Sequence, residues 1–572
     1  MVLFARCANV LFVAFGSGDV EHVKRNSSAE VCRAALEEGG LNVNCGGYLP
    51  RHLEAAVQNG TVSEEVLDAA LTRTWEASIS LGNFDTPNEQ CVASHTTAST
   101  CAFRVTPATG LQRHTGHVSS SDRWCDSCST RVPASVIDSP AHRQLALTAA
   151  KDGMVLLKND AEALPLKLTN TVALLGPAAN ATFVMQSNYQ GYSRIILENS
   201  PLLAMQHRLG NKLQYSIGCG YGTDPGAPHA DDAHIAAAVE AAKSADAAVV
   251  VVGIVPSSIN YVSGGSSQPD PNALESEGHN RQDIVLPGRQ QELISRVSAV
   301  NRRTIVVFIH GGAVTLHSNI SSQIPAFLDA NYPGQAGGEA IAGALLGEFS
   351  PNARLAYTIY AADFAEQRPD PTDHYLDSPP FGLTYMYWRG TPPMFGFGTG
   401  LTYAEFRSEF HTQQLTAMVS ENDEDVAVGM NVWRTHNDSF TGETAKFSVL
   451  LFATYAGRGK VASSRPIKKL VAFEKLALRR GEQHKVILRP SLMRGLAAVA
   501  EDGSYVLQAG NYALSSPNGR GVGTVHAQLT LQDATYGSRS REDPGAKDGV
   551  LRVDSYLPDA RSRAAIVADG RH

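Results

Sequence analysis

The chain has 572 residues, 43% of them hydrophobic, with 48 Lys and Arg against 56 Asp and Glu and a formal net charge of −8. That length gives room for roughly three or four domains, and the charge is spread without a basic face, so nucleic acid is not an expected partner. No apolar run reaches the roughly 18 residues that a membrane span needs.

Residues 1–15 carry an early Arg and an apolar run, loosely like a signal peptide, but without a small-x-small cleavage site. From Glu30 to Leu81 there are two helical patterns. AEVCRAALEEGG repeats apolar residues at helical spacing and ends at a Gly pair, a sensible C-terminal cap. SEEVLDAALTRTWEASISLG opens with Ser63 and two acids, as capping and the helix dipole favour. LNVNCGGYL between them (41–49) reads as a short strand, so 1–90 is a strand–helix fragment and not a complete domain. Residues 91–139, rich in Ser, Thr and Gly without periodicity, read as a linker. Cys125-x-x-Cys128 lies here with Cys91 and Cys101 nearby. No second Cys-x-x-Cys follows, so unpaired thiols or a loop disulfide are expected and no metal.

Residues 140–363 alternate helical and strand patterns. HRQLALTAAKDGMVLLKND is a helix running into a strand, and TVALLGPAAN, LQYSIGC, AAVVVVGI, TIVVFIHGG and IPAFLDANY supply further strands. Helical segments such as 232–244 and 288–300 separate several of them. This predicts one α/β domain with a largely parallel sheet. After an aromatic, Pro-rich connector (364–412), residues 413–530 carry alternating strands alone, which predicts a β-sandwich. Residues 531–572, rich in Arg, Asp, Ser and Gly, read as a disordered tail.

The chemistry points to the loop after one strand. Ala247–Ile254 is a continuous apolar run, as a buried parallel strand requires, and open α/β sheets bind ligands beyond such strand ends. Beyond it stand Glu275 and Glu277, then Arg281, then Leu-Pro-Gly at 286–288 opening a helix. Five N-x-S/T sequons, at Asn26, Asn59, Asn180, Asn319 and Asn437, are compatible with secretion.

An ordered set of strings carries a family resemblance. Lys151-Asp-Gly-Met-Val-Leu-Leu-Lys-Asn159, Leu175-Gly-Pro-Ala-Ala-Asn-Ala181, Asn188-Tyr189 and Asp246-Ala-Ala-Val-Val-Val-Val-Gly253 come first. Glu275-Ser-Glu-Gly278, Leu286-Pro-Gly288, Tyr332-Pro-Gly-Gln-Ala-Gly-Gly338 and Phe395-Gly-Phe-Gly-Thr-Gly-Leu-Thr-Tyr403 follow. Together they resemble glycoside hydrolase family 3, in its β-xylosidase branch. Pro466-Ile-Lys-Lys-Leu and Gly510-Asn-Tyr512 resemble that family's fibronectin type III-like domain.

The resemblance implies a (β/α)8 barrel bearing an Asp nucleophile, an α/β sandwich domain lending a Glu acid/base, and the β-sandwich. It implies retaining hydrolysis of β-linked oligosaccharides, with two carboxyls about 5–5.5 Å apart, and no cofactor or metal. Carried over residue by residue, the acid/base falls in the Glu275/Glu277 pair. Glu275 is favoured and Glu277 stays open; Arg281, Asn188 and Tyr189 are the sugar-binding candidates.

Departures from the family are concentrated near the N-terminus. Phe12-Val-Ala-Phe-Gly-Ser-Gly-Asp-Val20 stands where the family has a Phe-Val-Val-Ser-Asp-Cys-Gly-like string, so Gly16 occupies the nucleophile position. Asp19 is displaced by three residues and reads as an ordinary loop carboxylate, since covalent attack tolerates little displacement. Asn42 replaces an Asp, and Asn280 another, which removes a carboxylate beside Arg281. Fewer than ninety residues precede the linker, against around 250 for a barrel, so most of a barrel is expected to be missing and 1–90 to be its remnant. Two readings follow: a β-xylosidase-like hydrolase, or a non-catalytic remnant that binds carbohydrate or a partner. Nucleotide binding lacks its motif, because no Gly-x-Gly-x-x-Gly or P-loop string follows a strand.

Overall fold

The computed structural model describes residues 27–43, 47–80, 136–180, 182, 184–186, 199–222, 232–255, 281–368, 373, 375–419, 424–436, 438, 440–456, 466–499, 505–518, 524–533 and 550–553. The chain divides into two compact units, residues 1–142 and residues 143–572.

In the first unit Ser27 caps helix α1 (Ser28–Arg33), its hydroxyl accepting from the Glu30 amide at 3.3 Å, and a wide π-turn (Ala34–Glu38) continues it. Helices α2 (Tyr48–Gln58) and α3 (Glu64–Ser80) follow. The strand expected over 41–49 is not formed: 41–43 is irregular, and Tyr48 and Leu49 open α2. Pro50 explains the difference, because a proline without an N–H sits at no cost in the first turn of a helix, where that donor has no partner anyway. Val31, Leu36, Leu49 and Ala56 make a small core. On α3, Leu71, Trp75 and Ile79 are spaced by one helical turn and are 53%, 53% and 60% exposed, an apolar stripe turned to solvent.

The second unit contains all but the first three residues of α4 (Pro140–Gly153), then a six-stranded sheet of order β1-β6-β5-β4-β2-β3. Its strands are β1 (Val155–Asn159), β2 (Val172–Leu175), β3 (Leu213–Ser216), β4 (Ala247–Gly253), β5 (Thr304–Ile309) and β6 (Ala326–Asp329). All pairs are parallel except β1 with β6 at one edge. β4, Ala-Ala-Val-Val-Val-Val-Gly, is buried along its whole length because both faces of the sheet are covered. Val249 and Val251 enter one hydrophobic core, Val250 and Val252 the other. Helices α5 (Pro201–Leu209), α6 (Asp232–Ser244), α7 (Gln290–Val300) and α8 (Gly337–Leu345) cover those faces. On α7 the buried positions are Gln290, Leu293, Ile294 and Val297, the i, i+3, i+4, i+7 spacing of one helix face.

The all-β region starts earlier than residue 413. Strand β7 (Phe406–Phe410) lies inside the stretch read as connector and pairs with β9 (Val428–Arg434), which pairs in turn with β12 (Gln483–Leu488). Its alternation, Phe406, Ser408 and Phe410 in, Arg407 and Glu409 out, is a strand period that the preceding aromatic residues obscure. A five-stranded sheet has the order β11-β10-β15-β16-β8. These are β8 (Gln414–Val419), β10 (Thr444–Tyr455), β11 (Lys469–Arg479), β15 (Gly510–Pro517) and β16 (Thr524–Asp533). The two sheets share a core in which Phe406 stacks on Phe447 with ring centroids 4.8 Å apart. A third small sheet joins β13 (Ala498–Val499), β14 (Tyr505–Gln508) and β17 (Val550–Val553). β17 falls in the stretch read as disordered tail; Val550, Leu551 and Val553 are a local strand signal that average composition hides. Among the described residues no helix is long and apolar enough to cross a membrane. The linker reading of 91–139 lies outside the described residues up to residue 135.

Arg434 and Asp438 form an ion pair with both side chains 0% exposed, at 2.5 and 3.1 Å, and the guanidinium also donates to the carbonyls of Phe440, Gly442 and Glu443. Asp438→Ala leaves a buried cation without its counter-charge and is expected to cost about 3–5 kcal/mol. Replacing both partners by apolar residues of similar volume is expected to cost much less, which urea denaturation of the two variants resolves.

Candidate functional site

The strand order reverses at β2. From β2 the chain moves outward to β3, then returns across to β4 on the other side, so β2 and β4 are adjacent strands whose connections leave in opposite directions. Crevices beyond the carboxyl ends of strands at such a reversal are where open α/β sheets place ligands. Both segments that carry the sugar-site candidates leave from these two ends. Residues 176–186 run from β2 toward Asn188 and Tyr189, and Ile254–Val255 run from β4 toward Glu275 and Glu277. Those four residues lie outside the described residues, as do Gly16, Asp19, and Cys125 with Cys128.

The base of the glutamate loop is built from buried polar contacts. Gln290, fully buried at the start of α7, accepts from the Gly253 N–H through Oε1 at 2.9 Å and donates to the Gly253 carbonyl at 2.9 Å and to the Pro287 carbonyl at 3.1 Å. Both backbone groups of the last residue of β4 are thereby satisfied where the ladder ends. Gly253 has to be glycine, because a Cβ there would come within 1.8 Å of the Ile309 carbonyl oxygen on β5. Arg281 stands at the return of the loop, half-buried, and donates to the carbonyl of Val285 at 3.1 Å and to that of Ala313. Asp283 accepts from the Val285 amide at 2.9 Å. Arg281 is thus a clamp on the loop's return, holding 281–285 beside the segment that follows β5.

The Tyr332–Gly338 string, which follows β6, closes against the β2 arm. The Gly334 amide donates to the Met185 carbonyl at 2.8 Å, and the Asn199 side chain donates to the Gln335 carbonyl at 2.9 Å. A Cβ at Gly338 would stand 1.9 Å from the Asn199 carbonyl oxygen, so only glycine lets α8 start there. The string's contribution is close backbone approach.

Sequence reasoning missed a buried polar cluster on the same edge. His310 follows β5, Asp329 ends β6, and they are 1% and 0% exposed. His310 Nε2 lies 3.3 Å from Asp329 Oδ2, and Nδ1 lies 2.6 Å from the Gly312 carbonyl. The Tyr357 hydroxyl donates to Asp329 Oδ2, and stands 3.1 Å from both His310 Nε2 and Asn331 Oδ1. Asp329 Oδ1 accepts from the Asn331 amide at 2.9 Å. Burial alone would raise the Asp329 carboxyl; His310, the Tyr357 hydroxyl and the Asn331 amide overcome it and hold the carboxyl below its usual range. Burial pushes the Tyr357 hydroxyl up, with the Asp329 charge adding to it. The signal was available in the sequence: His310 and Asp329 are the first polar residues at the ends of two fully buried strands.

Among the described residues no group of three or more His, Cys, Asp or Glu is arranged to hold a metal ion. Asn42, in the first unit, has its Oδ1 engaged by Arg73 at 2.6 Å, and its carbonyl accepts from the Thr74 hydroxyl at 3.0 Å.

A largely parallel sheet covered by helices on both faces defines an α/β domain. Residues 154–403 match the family described as glycosyl hydrolase family 3 C-terminal domain. A probable exo-1,4-β-xylosidase of Aspergillus fumigatus is 32% identical over 505 residues, covering 86% of this chain and 56% of the relative. A probable β-D-xylosidase of Arabidopsis thaliana is 30% identical over 526 residues, covering 85% and 58%. A solved GH3 exo-β-xylosidase in complex with a xylobiose aziridine activity-based probe superposes with a TM-score of 0.65 at 25% identity, covering 90% of this chain and 60% of that one. The chain spans somewhat more than half the length of the proteins it matches.

The depressed Asp329 carboxyl has a signed consequence for stability. An aspartate whose folded pKa lies below its unfolded value of about 3.9 contributes stability that is present above about pH 4 and lost as pH falls through the folded pKa. Asp329→Asn is therefore expected to flatten the acid limb of the unfolding profile, measured by circular dichroism across acid pH. An unchanged acid limb would show that the cluster carries no such linkage. Separately, Gln290→Leu strands both polar groups of Gly253 and is expected to cost about 1–3 kcal/mol for each in urea denaturation.

Proposed function

We propose that this chain belongs to a β-xylosidase-type glycosidase that removes terminal β-linked sugars from oligosaccharides with retention of configuration. The observation that carries the reading is the adjacency of the β2 and β4 ends. In the sequence one is followed by the segment with Asn188 and Tyr189 and the other by the loop with Glu275 and Glu277, so the two candidate segments set out from neighbouring strand ends. The two relatives named as xylosidases agree with that substrate class.

In this reading Glu275, with Glu277 as the other candidate, protonates the leaving oxygen and then activates water; Asn188 and Tyr189 hold the sugar. Arg281, engaged with two backbone carbonyls, fixes the loop's return. The five- and three-stranded sheets correspond to a fibronectin type III-like domain at about 413–530, which the strand β7 extends toward 406, and residues 1–90 to a barrel remnant. Secretion fits three of the sequons: Asn59, Asn180 and Asn319 are exposed. Asn59 and Asn180 each use Oδ1 within the protein, in contacts with Thr61 and Ser200, which leaves Nδ2 for a glycan. Expression through a eukaryotic secretory pathway should give a mass that falls on endoglycosidase treatment; a mass unchanged by the treatment would count against this compartment.

Retaining hydrolysis needs a second, ionised carboxylate, and the position matching the family's nucleophile holds Gly16. That observation favours a second reading, sugar binding without turnover. Hydrolysis of p-nitrophenyl β-D-xyloside by the purified chain, beside a Glu275→Gln/Glu277→Gln variant, separates the two. Release of nitrophenol above that variant establishes hydrolysis and sends the search for the nucleophile to Asp19 first; no release from a folded chain leaves the binding reading.

A further inference from the structure

The three-stranded sheet has an outer face that the sugar site does not use. On β9 the residues alternate, with Val428, Met430, Val432 and Arg434 buried and Gly429, Asn431 and Trp433 turned outward. Trp433 stands in register between Arg407 of β7 and Gln483 of β12. At this end of the sheet a hollow of about 670 Å³ is bordered by Glu405, Arg407, Glu409, Trp433, Thr435 and His436. That volume lies within the roughly 300–1,000 Å³ of small-molecule sites.

We propose that this hollow is a second carbohydrate site, in which a pyranose ring lies against the Trp433 indole and its hydroxyls bond to Glu405, Arg407, Glu409 and Gln483. The ligand class rests on the reading above that the chain handles β-linked oligosaccharides. Three features of the hollow fit a neutral polyhydroxylated ring. Arg407 Nη2 is paired with Glu405 Oε1 at 3.0 Å, and Glu409 Oε1 accepts from the neutral Asn431 amide at 3.1 Å, so the rim offers planar donors and acceptors and its remaining carboxylate charge weighs against an anionic ligand. The Thr435 hydroxyl is buried and has no hydrogen-bond partner among the described residues, although its backbone amide donates to the Glu405 carbonyl at 2.9 Å. A buried hydroxyl left unsatisfied costs free energy, which a ligand hydroxyl recovers once the Thr435 side chain rotates toward the hollow that the residue borders. The indole presents an electron-rich face to the weakly positive C–H face of a sugar, and its N–H has no hydrogen bond among the described residues. A protein partner needs a wider apolar centre than one tryptophan in a polar row supplies.

The test uses the full chain and xylotriose as probe, read by isothermal titration calorimetry and by retardation in xylan-containing native gels. The Glu275→Gln/Glu277→Gln variant is the background, so that binding is measured with the proposed chemistry removed. Xylotriose is expected to bind this background, and Trp433→Ala on it to bind about tenfold more weakly, the effect of losing one aromatic contact. Trp433→Phe, which keeps a ring, and Thr435→Val are expected to give smaller losses and confirm that a folded protein, judged by circular dichroism, is being compared. Equal binding by the background and Trp433→Ala would overturn the proposal, as would no binding by either. It would also be overturned if Trp433→Ala changed the mass in solution by sedimentation, since the face would then be a protein contact. Binding that depends on Trp433 in a chain that releases no nitrophenol would uphold this site while rejecting the hydrolase reading.

Discussion

Burial of the six-stranded sheet on both faces is the constraint from which the rest of the second unit follows. A strand such as β4 that is covered above and below has no face for polar side chains, so polarity is displaced to the strand ends. There the backbone groups also run out of ladder partners. Gln290 answers that need for Gly253, and His310, Asp329, Asn331 and Tyr357 form a mutually satisfied cluster at the ends of β5 and β6. The same geometry that makes the sheet stable therefore concentrates hydrogen-bonding groups along one edge, beside the reversal where the candidate arms depart.

The joint between the α/β sheet and the β-sheets is equally polar and equally specific. Arg354 donates to the carbonyls of Gly400 and Ser448, and its guanidinium lies 5.0 Å from the centre of the Phe447 ring. Ser448 donates back to the Asn352 carbonyl at 2.8 Å, and Lys446 reaches Asp152 at 2.7 Å. The Tyr403 hydroxyl, at the end of the Phe395–Tyr403 string, donates to the Ala344 carbonyl on α8 at 2.7 Å. One hydrophobic core runs from a face of the α/β sheet into the paired β-sheets, so these bonds fix an orientation that apolar contact alone would leave free to slide.

What could be read from the sequence divides along physical lines. Strands β2, β4, β5 and β6 were legible because two-sided burial writes an unbroken apolar run, and α6 and α7 because one-sided burial writes a 3.6-residue period. α2 was obscured by Gly47 and Pro50, turn residues that here sit at and inside a helix start. β7 and β17 were obscured because each is four or five residues long inside a stretch whose average composition is that of a connector or a tail. At the site, Glu275, Glu277, Asn188 and Tyr189 were chosen from ordered motifs, and Arg281 is placed as a clamp. His310 and Asp329 are each marked in the sequence as a polar residue at the end of a buried strand, but their meeting with each other and with Tyr357 follows only from the fold, since they lie 19, 28 and 47 positions apart.

Chemistry and stability are separable in this arrangement, and that bears on how Gly16 is to be understood. The bonds that hold the base of the glutamate loop, from Gln290 and Arg281, are made to backbone groups within residues 253–313. None of them involves a carboxylate that would have to attack a sugar. A change at Gln290 or Gly253 strikes the core of the α/β domain directly, through the backbone groups it would leave unpaired or displace. Selection for a stable fold can keep the loop's base intact whether or not the chain turns over substrate. The intact base therefore speaks for the fold of the α/β domain and not for or against turnover, because none of its bonds depends on a reacting carboxylate.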